Sequence, residues 1–255
     1  MIISESIFNT HILTFDIDWA PDWCISDIAK ILIEKEIKST WFVTHDSPAI
    51  RHLSEYPDLF ELGIHPNFQN GSTQGNSPKE VMEYLLNIIP DASSVRTHGL
   101  VQSSHLLKMM AEEFNIKDDV SIFLPYTPNI QPHNCYISND KYITRIPFFW
   151  EDDSAFLSLH NKFNFQESKY HTTGLKIYNF HPIHIYLNSN GYAMYEKCKS
   201  EYPCITDVPI KTVASFINQK RGVKNIFNDL LNYMTKENAK GYFISEISNQ
   251  YNSIK

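Results

Sequence analysis

Acidic, basic and imidazole side chains repeatedly stand at the ends of apolar runs in this sequence. The strings TFDID and SVRTHG each end such a run with two polar side chains, Asp16 with Asp18 and Arg96 with His98. Carboxylates, imidazoles and a guanidinium are the groups that bind metals and transfer protons. The polar residues at these run ends are Asp16, Asp18, His45, Asp46, His65, Arg96, His98, Asp152, Asp153, His181 and His184.

Asp16 and Asp18 lie two residues apart, so a strand would place both carboxylates on one face. Such a pair suits one metal ligand beside one general base, because the metal keeps one carboxylate ionised while the other accepts a proton. The alternative interpretation is that the two acids only cap the helix that follows.

Arg96 and His98 have the same spacing, so one strand would present a guanidinium and an imidazole together. Arginine pairs with carboxylates, whereas imidazole binds metals. A solvated arginine and a structural histidine are the alternative reading. His65 precedes Pro66, which keeps it extended, and we favour a metal ligand over a buried structural histidine at this position.

Two further histidine positions are ambiguous. In NFHPIHIYLN, a strand that continues through Pro182 would direct His181 and His184 to opposite faces, so only one should reach the site. We favour His181, which leaves His184 as a structural or supporting residue. His45 precedes a helix-start signal and is either a support behind a metal ligand or a junction residue.

The elements that must position these residues alternate along the chain. Helical spacing of apolar residues predicts helices at 26–37, 78–89 and 103–114, the first capped by Ser26 or Asp27. Short links between strands and helices predict an α/β fold with a parallel sheet or a barrel, in which the polar run ends would gather at one rim. Runs rich in β-branched and aromatic residues predict the strands, at 11–18, 39–45, 60–65, 94–98, 119–124, 142–149 and 175–181.

Other stretches depart from this alternation. Residues 67–77 and 125–139 have the composition of loops. The chain after His184 is mostly helical, at 210–219, 223–234 and 243–251, and should pack on the barrel because no linker precedes it. We therefore expect a single domain over residues 1–255, with a core at about 11–190 and a helical C-terminal extension at about 191–255.

Composition excludes several function classes. The chain has 255 residues, 42% of them hydrophobic, and a net charge of −7 with no basic block. This favours a globular enzyme or binding domain over a nucleic-acid-binding protein. Residues 1–10 do not resemble a secretion signal, and no run approaches the length of a membrane span, so we expect a cytoplasmic protein. The four cysteines are widely spaced and indicate neither a thiolate zinc site nor disulfides.

Six strings, in this order, carry a family resemblance: TFDID, STWFVTHDS, ELGIHPNF, SVRTHG, IPFFWEDD and NFHPIHIYLN. Over residues 11–190 they resemble the polysaccharide deacetylase superfamily, the nodulation-factor deacetylase type of carbohydrate esterase. Within it, they resemble the deacetylase-like proteins encoded with O-antigen assembly enzymes. The resemblance implies a distorted (β/α) barrel, here of about seven parallel strands, which holds one divalent metal and hydrolyses the N-acetyl group of an amino sugar.

The same resemblance implies roles for individual residues. Asp16 would be the general base, Asp18 and His65 metal ligands, Arg96 the partner that orients Asp16, and His181 the general acid. The family's adjacent aspartate pair is split here by Ile17, which leaves the roles of Asp16 and Asp18 less certain. The usual second metal histidine is replaced by Gln69, and His98 stands where the arginine motif usually has proline. We therefore expect His98 as the third ligand, with His45 as the second choice.

The implied ligands are nitrogen and oxygen atoms, which favour Zn²⁺ and also accept Co²⁺, Ni²⁺ or Fe²⁺. The implied substrate is an acetylated amino sugar, nucleotide-linked or lipid-linked, in surface-glycan (O-antigen type, lipopolysaccharide) biosynthesis. Glu151, Asp152 and Asp153 would bond sugar hydroxyls or tune His181. Aromatic residues near the rim would stack on sugars or fill the core: Trp19, Trp23, Phe68, Phe149 and Trp150. The alternative functions are a silent sugar-binding barrel and another metal-dependent hydrolase, often with two metals.

Overall fold

One mixed sheet, in which parallel pairs dominate, forms the centre of the protein. The computed structural model describes residues 7–138, 141–157 and 163–254. The strand order is β6-β7-β5-β4-β3-β2-β1-β9-β8, and within these residues only β6 and β7 pair antiparallel. The strands are β1 (His11–Asp16), β2 (Ser39–Val43), β3 (Phe60–Ile64), β4 (Ser94–Val95), β5 (Asp118–Asp119), β6 (His133–Ser138), β7 (Lys141–Arg145), β8 (Trp150–Glu151) and β9 (Lys176–Phe180).

Helices connect the parallel strands and cover the sheet. Ser77 and Ser103 accept hydrogen bonds from the amides of Glu80 and Leu106, so each serine caps the N-terminus of the helix that follows it. The helices are α1 (Asp22–Lys35), α2 (Pro48–Leu53), α3 (Pro78–Ile88), α4 (Ser104–Glu113), α5 (Asp152–Phe156), α6 (Pro182–Tyr186), α7 (Ala193–Glu201), α8 (Ile210–Val213), α9 (Val223–Lys236) and α10 (Ile244–Ser253).

The predicted (β/α) barrel is confirmed as a curled, mostly parallel half-barrel. It has nine strands in the described residues, where about seven were expected. The predicted start of the first helix at residue 26 is wrong, because α1 begins at Asp22 after the extended Pro21. Pro21 is the N-cap residue, with an extended backbone and no side-chain cap, so the helix begins four residues before the position that the candidate side-chain caps suggested.

The prediction of an unstructured loop at 125–139, whose last residue lies outside the described part of the chain, is wrong for β6. This strand pairs antiparallel with β7 at the edge of the sheet. None of its side chains is fully buried. A strand without a buried face needs no alternation of apolar and polar residues, and that alternation is the pattern by which a half-buried strand is predicted. The pairing is supported by the rings of Tyr136 and Tyr142, whose centroids are 5.5 Å apart.

The C-terminal helices are part of the main core. The ring of Phe227 on α9 lies 6.2 Å from that of Phe15 on β1 and 5.3 Å from that of Phe180 on β9. Helix α10 begins at the amino ends of the strands, where the Ile244 amide donates to the Thr40 hydroxyl. Within the described residues, none of the helices combines the length and apolar character needed to cross a bilayer.

Because β1, β2, β3, β4 and β9 run parallel, their carboxyl ends share one edge of the sheet. We call this the carboxyl edge, and it carries Asp16, His65, Arg96 and His181 directly after or at the last residues of their strands. The opposite amino edge carries Glu61 and Asp118 near the first residues of β3 and β5. In α/β barrels, active sites are built at the carboxyl edge.

Candidate metal centre and active site

Asp16 and Asp18 reach the same centre by a sharp turn. Strand β1 ends at Asp16, and Asp18 and Trp19 have left-handed backbone angles, with φ of 44° and 55°. The predicted strand through residue 18 is therefore two residues too long. Left-handed angles are costly for residues with a Cβ and persist where the surrounding structure holds them, often at functional sites. Here the turn is supported by a hydrogen bond from the Trp19 amide to the Thr44 hydroxyl.

Asp18, His65 and His98 present one carboxylate oxygen and two imidazole nitrogens to a common point. His65 Nε2 and His98 Nδ1 lie 3.1 and 3.2 Å from Asp18 Oδ1, and 3.3 Å from each other. A tetrahedral ion with bonds of about 2.0–2.1 Å separates its ligands by about 3.3 Å. The three atoms therefore already have the spacing that a small divalent metal requires.

The environment of His65 supports this interpretation. Its Nδ1 lies 2.6 Å from the Arg96 carbonyl oxygen, an acceptor, so Nδ1 carries the proton and Nε2 presents a lone pair to the centre. Burial alone would raise the pKa of Asp18, but the imidazoles of His65 and His98 hold it well below its ordinary range. The donor set, without a thiolate, fits zinc and the other metals named above.

His98, rather than His45 or Gln69, lies beside Asp18 and His65. The Nδ1 of His45 contacts the Thr44 hydroxyl at 2.9 Å, behind the centre. Strand β4 ends at Val95, so Arg96 and His98 are not neighbours on one strand as their spacing predicted. Instead the chain enters a 3₁₀ turn at His98, which directs its imidazole toward the carboxylate of Asp18.

Arg96 is fully buried and holds Asp16. Its Nη1 donates to Asp16 Oδ1 at 2.9 Å and to Asn179 Oδ1 at 2.8 Å, while its Nη2 donates to the Thr14 hydroxyl at 2.8 Å. The Nδ2 of Asn179 donates to the second oxygen of Asp16 at 2.7 Å. Both oxygens of Asp16 are therefore held in place, as expected for a carboxylate that must accept a proton in a defined direction.

Thr14 and Asn179 are site residues that the sequence interpretation missed. Each precedes a recognised residue by two positions, Thr14 before Asp16 and Asn179 before His181. In a strand, residues two apart share a face, so this spacing was a signal that could have identified them. Neither residue type binds metals well, which is why a search for metal ligands passed over both.

His181 is held by Asp152 through two contacts. The Asp152 carboxylate accepts from the His181 amide at 2.8 Å and lies 2.6 Å from its Nδ1. The other nitrogen, Nε2, lies 3.5 Å from Asp18 Oδ2 and so faces the metal centre. Burial would lower the pKa of His181, but the charges of Asp152 and Asp153 raise it well above its ordinary value.

His184 does not share this position. The strand does not continue through Pro182, because β9 ends at Phe180 and α6 begins at Pro182. On that helix, His184 is buried between the Ser189 hydroxyl, 3.1 Å from its Nδ1, and the carboxylate of Asp153, 3.0 Å from its Nε2. It thus supports the segment beside the site rather than facing the metal centre.

A cleft of about 340 Å³ opens onto the centre. Asp18, Trp19 and His98 line its floor, and Tyr195 and Lys199 line the wall that α7 contributes. The volume lies in the range of small-molecule sites. A larger cavity of about 450 Å³ lies between α2 and α3 on the outside of the barrel and lacks this histidine cluster.

Among the aromatic residues, Trp19 lines the cleft and Trp150 does not. Trp150 is 1% exposed, and its ring packs 4.8 Å from Phe180 and 6.0 Å from Tyr178. It therefore has no free face for a substrate, and its predicted contact with sugar is not supported. Its place on β8 is structural: it anchors the short strand that carries Glu151 and leads directly into Asp152.

Comparisons with known proteins agree with this arrangement. A family profile described as WbmS-like polysaccharide deacetylase matches residues 13–199. A crystal structure from Bordetella bronchiseptica, of a protein described as a polysaccharide deacetylase involved in O-antigen biosynthesis, is similar with a TM-score of 0.76. The two chains are 30% identical, and the alignment covers 90% of this chain and 92% of that one. A search of curated proteins found no match.

Proposed function

Because the chain belongs to the WbmS-like polysaccharide deacetylase family, we propose that it is a metal-dependent deacetylase that removes an N-acetyl group from an amino sugar. One observation carries the proposal. The metal-ligand triangle of Asp18, His65 and His98 lies between a carboxylate held by arginine and an imidazole held by a carboxylate. Amide hydrolysis requires these three components, an electrophilic centre, a base and an acid.

The surroundings of each site residue indicate its role in the proposed reaction. A divalent metal, when bound by Asp18, His65 and His98, would polarise the acetyl carbonyl and lower the pKa of water. Asp16 would accept the proton of the attacking water, because Arg96 and Asn179 orient both of its oxygens without donating a proton to the reaction. The buried setting of Asp16 also strengthens its interaction with charge that develops nearby.

His181 would act as the acid. The amine of an amide leaves only when it is protonated, and the raised pKa of His181 keeps its imidazole protonated at neutral pH. Asp152 orients the imidazole and stabilises its charge, as carboxylates do behind other acid-base histidines. The free Nε2 faces Asp18 and is therefore the nitrogen placed to reach a substrate nitrogen.

The substrate proposal rests on the cleft and on the relative. Trp19 offers an aromatic face for a sugar ring, and Lys199 supplies a cation on the opposite wall. The similar protein is described as involved in O-antigen biosynthesis. We therefore place this chain in surface-glycan biosynthesis, acting in the cytoplasm on a nucleotide-linked or lipid-linked precursor whose acetamido group enters the cleft.

The proposal is tested by measuring metal content and acetate release together. Purified protein offered Zn²⁺, Co²⁺ or Ni²⁺ should hold one ion per chain, and Asp18→Ala, His65→Ala and His98→Ala should each lose it. His45→Ala is the matched control and should keep it, because its imidazole contacts Thr44 instead. The loaded protein should release acetate from N-acetylated amino sugars, presented free and linked to a nucleoside diphosphate.

Two results would contradict the proposal. Sugar binding without metal uptake would identify a silent binding barrel. Two ions per chain with no acetate released would favour another class of metal-dependent hydrolase.

A further inference from the structure

Glu151 is a partly buried carboxyl group that the proposed reaction leaves without a role. It ends β8, and one of its carboxyl oxygens belongs to a group with a carboxylate oxygen of Asp16 and an imidazole nitrogen of His181. These three atoms all lie within 4.8 Å of one another. Glu151 is therefore close to both the proposed base and the proposed acid.

Asn179 connects Glu151 to the base. Its Nδ2 donates to Asp16 Oδ2 at 2.7 Å and to Glu151 Oε1 at 3.2 Å. Its Oδ1 accepts from Arg96, and because a guanidinium only donates, the orientation of the amide is determined. One amide thus holds the two carboxyl groups side by side, with Asp16 facing the metal centre and Glu151 nearer to α5.

The charges around Glu151 favour a bound proton near neutral pH. Burial, together with the charges of Asp16, Asp152 and Asp153, raises the pKa of Glu151 to about 7, although the charge of His181 lowers it. Tyr192 also lies within electrostatic reach. A carboxyl group in this state can both give and accept a proton at neutral pH.

Proton accounting for the proposed reaction leaves one proton to be returned, which such a group can do. After one turnover, Asp16 carries the proton that it took from water, and His181 lacks the proton that it gave to the amine. One O–H bond at Asp16 must break and one N–H bond at His181 must form before the next cycle. The second proton of the attacking water leaves with the products, as acetic acid or on the amine, so it takes no part in this exchange and the transfer within the site is balanced.

We propose that Glu151 returns this proton, giving its own proton to the imidazole of His181 and taking the proton of Asp16 in its place. The inference rests on the proposed function, since it assigns Asp16 and His181 as base and acid. It assigns Glu151 no contact with the substrate. Glu151 acts through Asp16 and His181, whereas those two residues exchange protons with the reactants themselves.

The test compares amide and ester hydrolysis in Glu151→Gln. Glutamine keeps an oxygen for the Asn179 hydrogen bond but cannot exchange a proton. The probes are N-acetylglucosamine linked to a nucleoside diphosphate and 4-nitrophenyl acetate, whose phenolate leaves without a proton from His181. The ratio of amide to ester turnover should fall at least tenfold in Glu151→Gln and recover in part in Glu151→Asp. Glu61→Gln, which changes a partly buried glutamate at the amino edge, should leave the ratio unchanged.

A second measurement does not depend on turnover. In protein labelled with ¹³C at glutamate carboxyl groups, the resonance that Glu151→Gln removes should titrate near pH 7. Titration near the ordinary glutamate value, or an unchanged amide-to-ester ratio, would overturn the inference and leave the proposed function standing. Wild-type protein that hydrolyses neither probe would overturn both.

Discussion

Carboxyl groups are buried or partly buried at both edges of the sheet, but their partners differ. At the carboxyl edge, Asp16 pairs with Arg96, and Asp18 lies against His65 and His98. At the amino edge, within the described residues, Glu61 and Asp118 form no ion pair. Their contacts are to neutral donors of α10 and the sheet, which are Ser94, Ser245 and Ser248.

These partners have opposite consequences for charge. The imidazoles beside Asp18 hold its pKa well below the ordinary range despite burial. Burial raises the pKa of Asp118 to about 7 and also raises that of Glu61, since hydroxyl and amide donors do not offset the loss of water. Burial of an acid is therefore not evidence of a site. The charged and imidazole partners at the carboxyl edge are what indicate chemistry.

Replacing Arg96 should give the largest effect. Arg96→Met leaves Asp16 buried without its ion-pair partner and removes a guanidinium that lies 4.6 Å from the Phe42 ring centroid and 4.7 Å from that of Phe148. Breaking a buried pair in this way costs about 3–5 kcal/mol. We expect a loss of unfolding free energy of that size in urea, together with loss of acetate release.

Arg51→Met is the control for this prediction, because Arg51 and Asp46 form an exposed pair at the same edge. Exposed pairs contribute little to stability. Equal destabilisation by the two variants would contradict the role given to burial at the carboxyl edge.

Removing the support of His181 should have the next largest effect. Asp152→Asn takes away the charge that raises the pKa of His181, so less of the imidazole is protonated at neutral pH. Turnover should fall by about 10–100-fold, as for other supporting carboxylates, with metal content unchanged. Acetate release and metal analysis check the two parts. Asp46→Asn, another acid at a strand end, should match wild type, and loss of metal from Asp152→Asn would show that this residue has a different role.

The carboxyl edge was largely predictable from sequence because its residues follow strong strand patterns. Asp16, His65 and His181 lie at the carboxyl ends of β1, β3 and β9. Because these strands are parallel, their carboxyl ends meet at one rim. The role of His98 was harder to derive, since it depends on a turn after the two-residue strand β4. Turn geometry of this kind follows from packing rather than from local pattern.

The amino edge was not predictable in the same way. Glu61 contacts Ser245 and Asp118 contacts Ser248, both on α10, and the first of these contacts joins positions 184 residues apart. The left-handed turn at Asp18 and Trp19 was missed for the same reason, because the Trp19 amide donates to Thr44, 25 residues away in the chain. Strand β6 was missed for a different reason. Its partner β7 is adjacent in sequence, but β6 has no fully buried face and therefore no regular alternation of apolar and polar residues.

The amino edge should show its own dependence on pH. A folded pKa of about 7 for Asp118, above the value near 4 of an unfolded aspartate, means that the folded chain binds this proton more strongly. The resulting stabilisation is present at pH 4 and is lost as pH rises toward 7, by about 1.4 kcal/mol per pH unit. Asp118→Asn should therefore gain stability relative to wild type between pH 5 and pH 8.

Urea unfolding of both proteins across that range measures this difference. Asp91→Asn, at an exposed position, is the control and should follow wild type at each pH. A constant difference between Asp118→Asn and wild type across the range would show that Asp118 is ionised in the folded protein, and would remove the contrast between the two edges.

The smallest effect should come from the contact that attaches α10 to the amino edge. Glu61 Oε2 accepts from the Ser245 hydroxyl at 2.8 Å and from the Ser245 amide at 3.1 Å. Ser245→Ala removes the hydroxyl bond but keeps the amide bond, so we expect a loss of about 1 kcal/mol in urea unfolding. Ser253→Ala, an exposed serine near the end of the same helix, should cost less. Acetate release should be unaffected by both changes, because Ser245 contacts Glu61 at the amino edge, whereas the candidate metal centre lies at the carboxyl edge. A selective loss of turnover in Ser245→Ala would show instead that the two edges are coupled through the strands, and that the amino edge contributes to positioning the site.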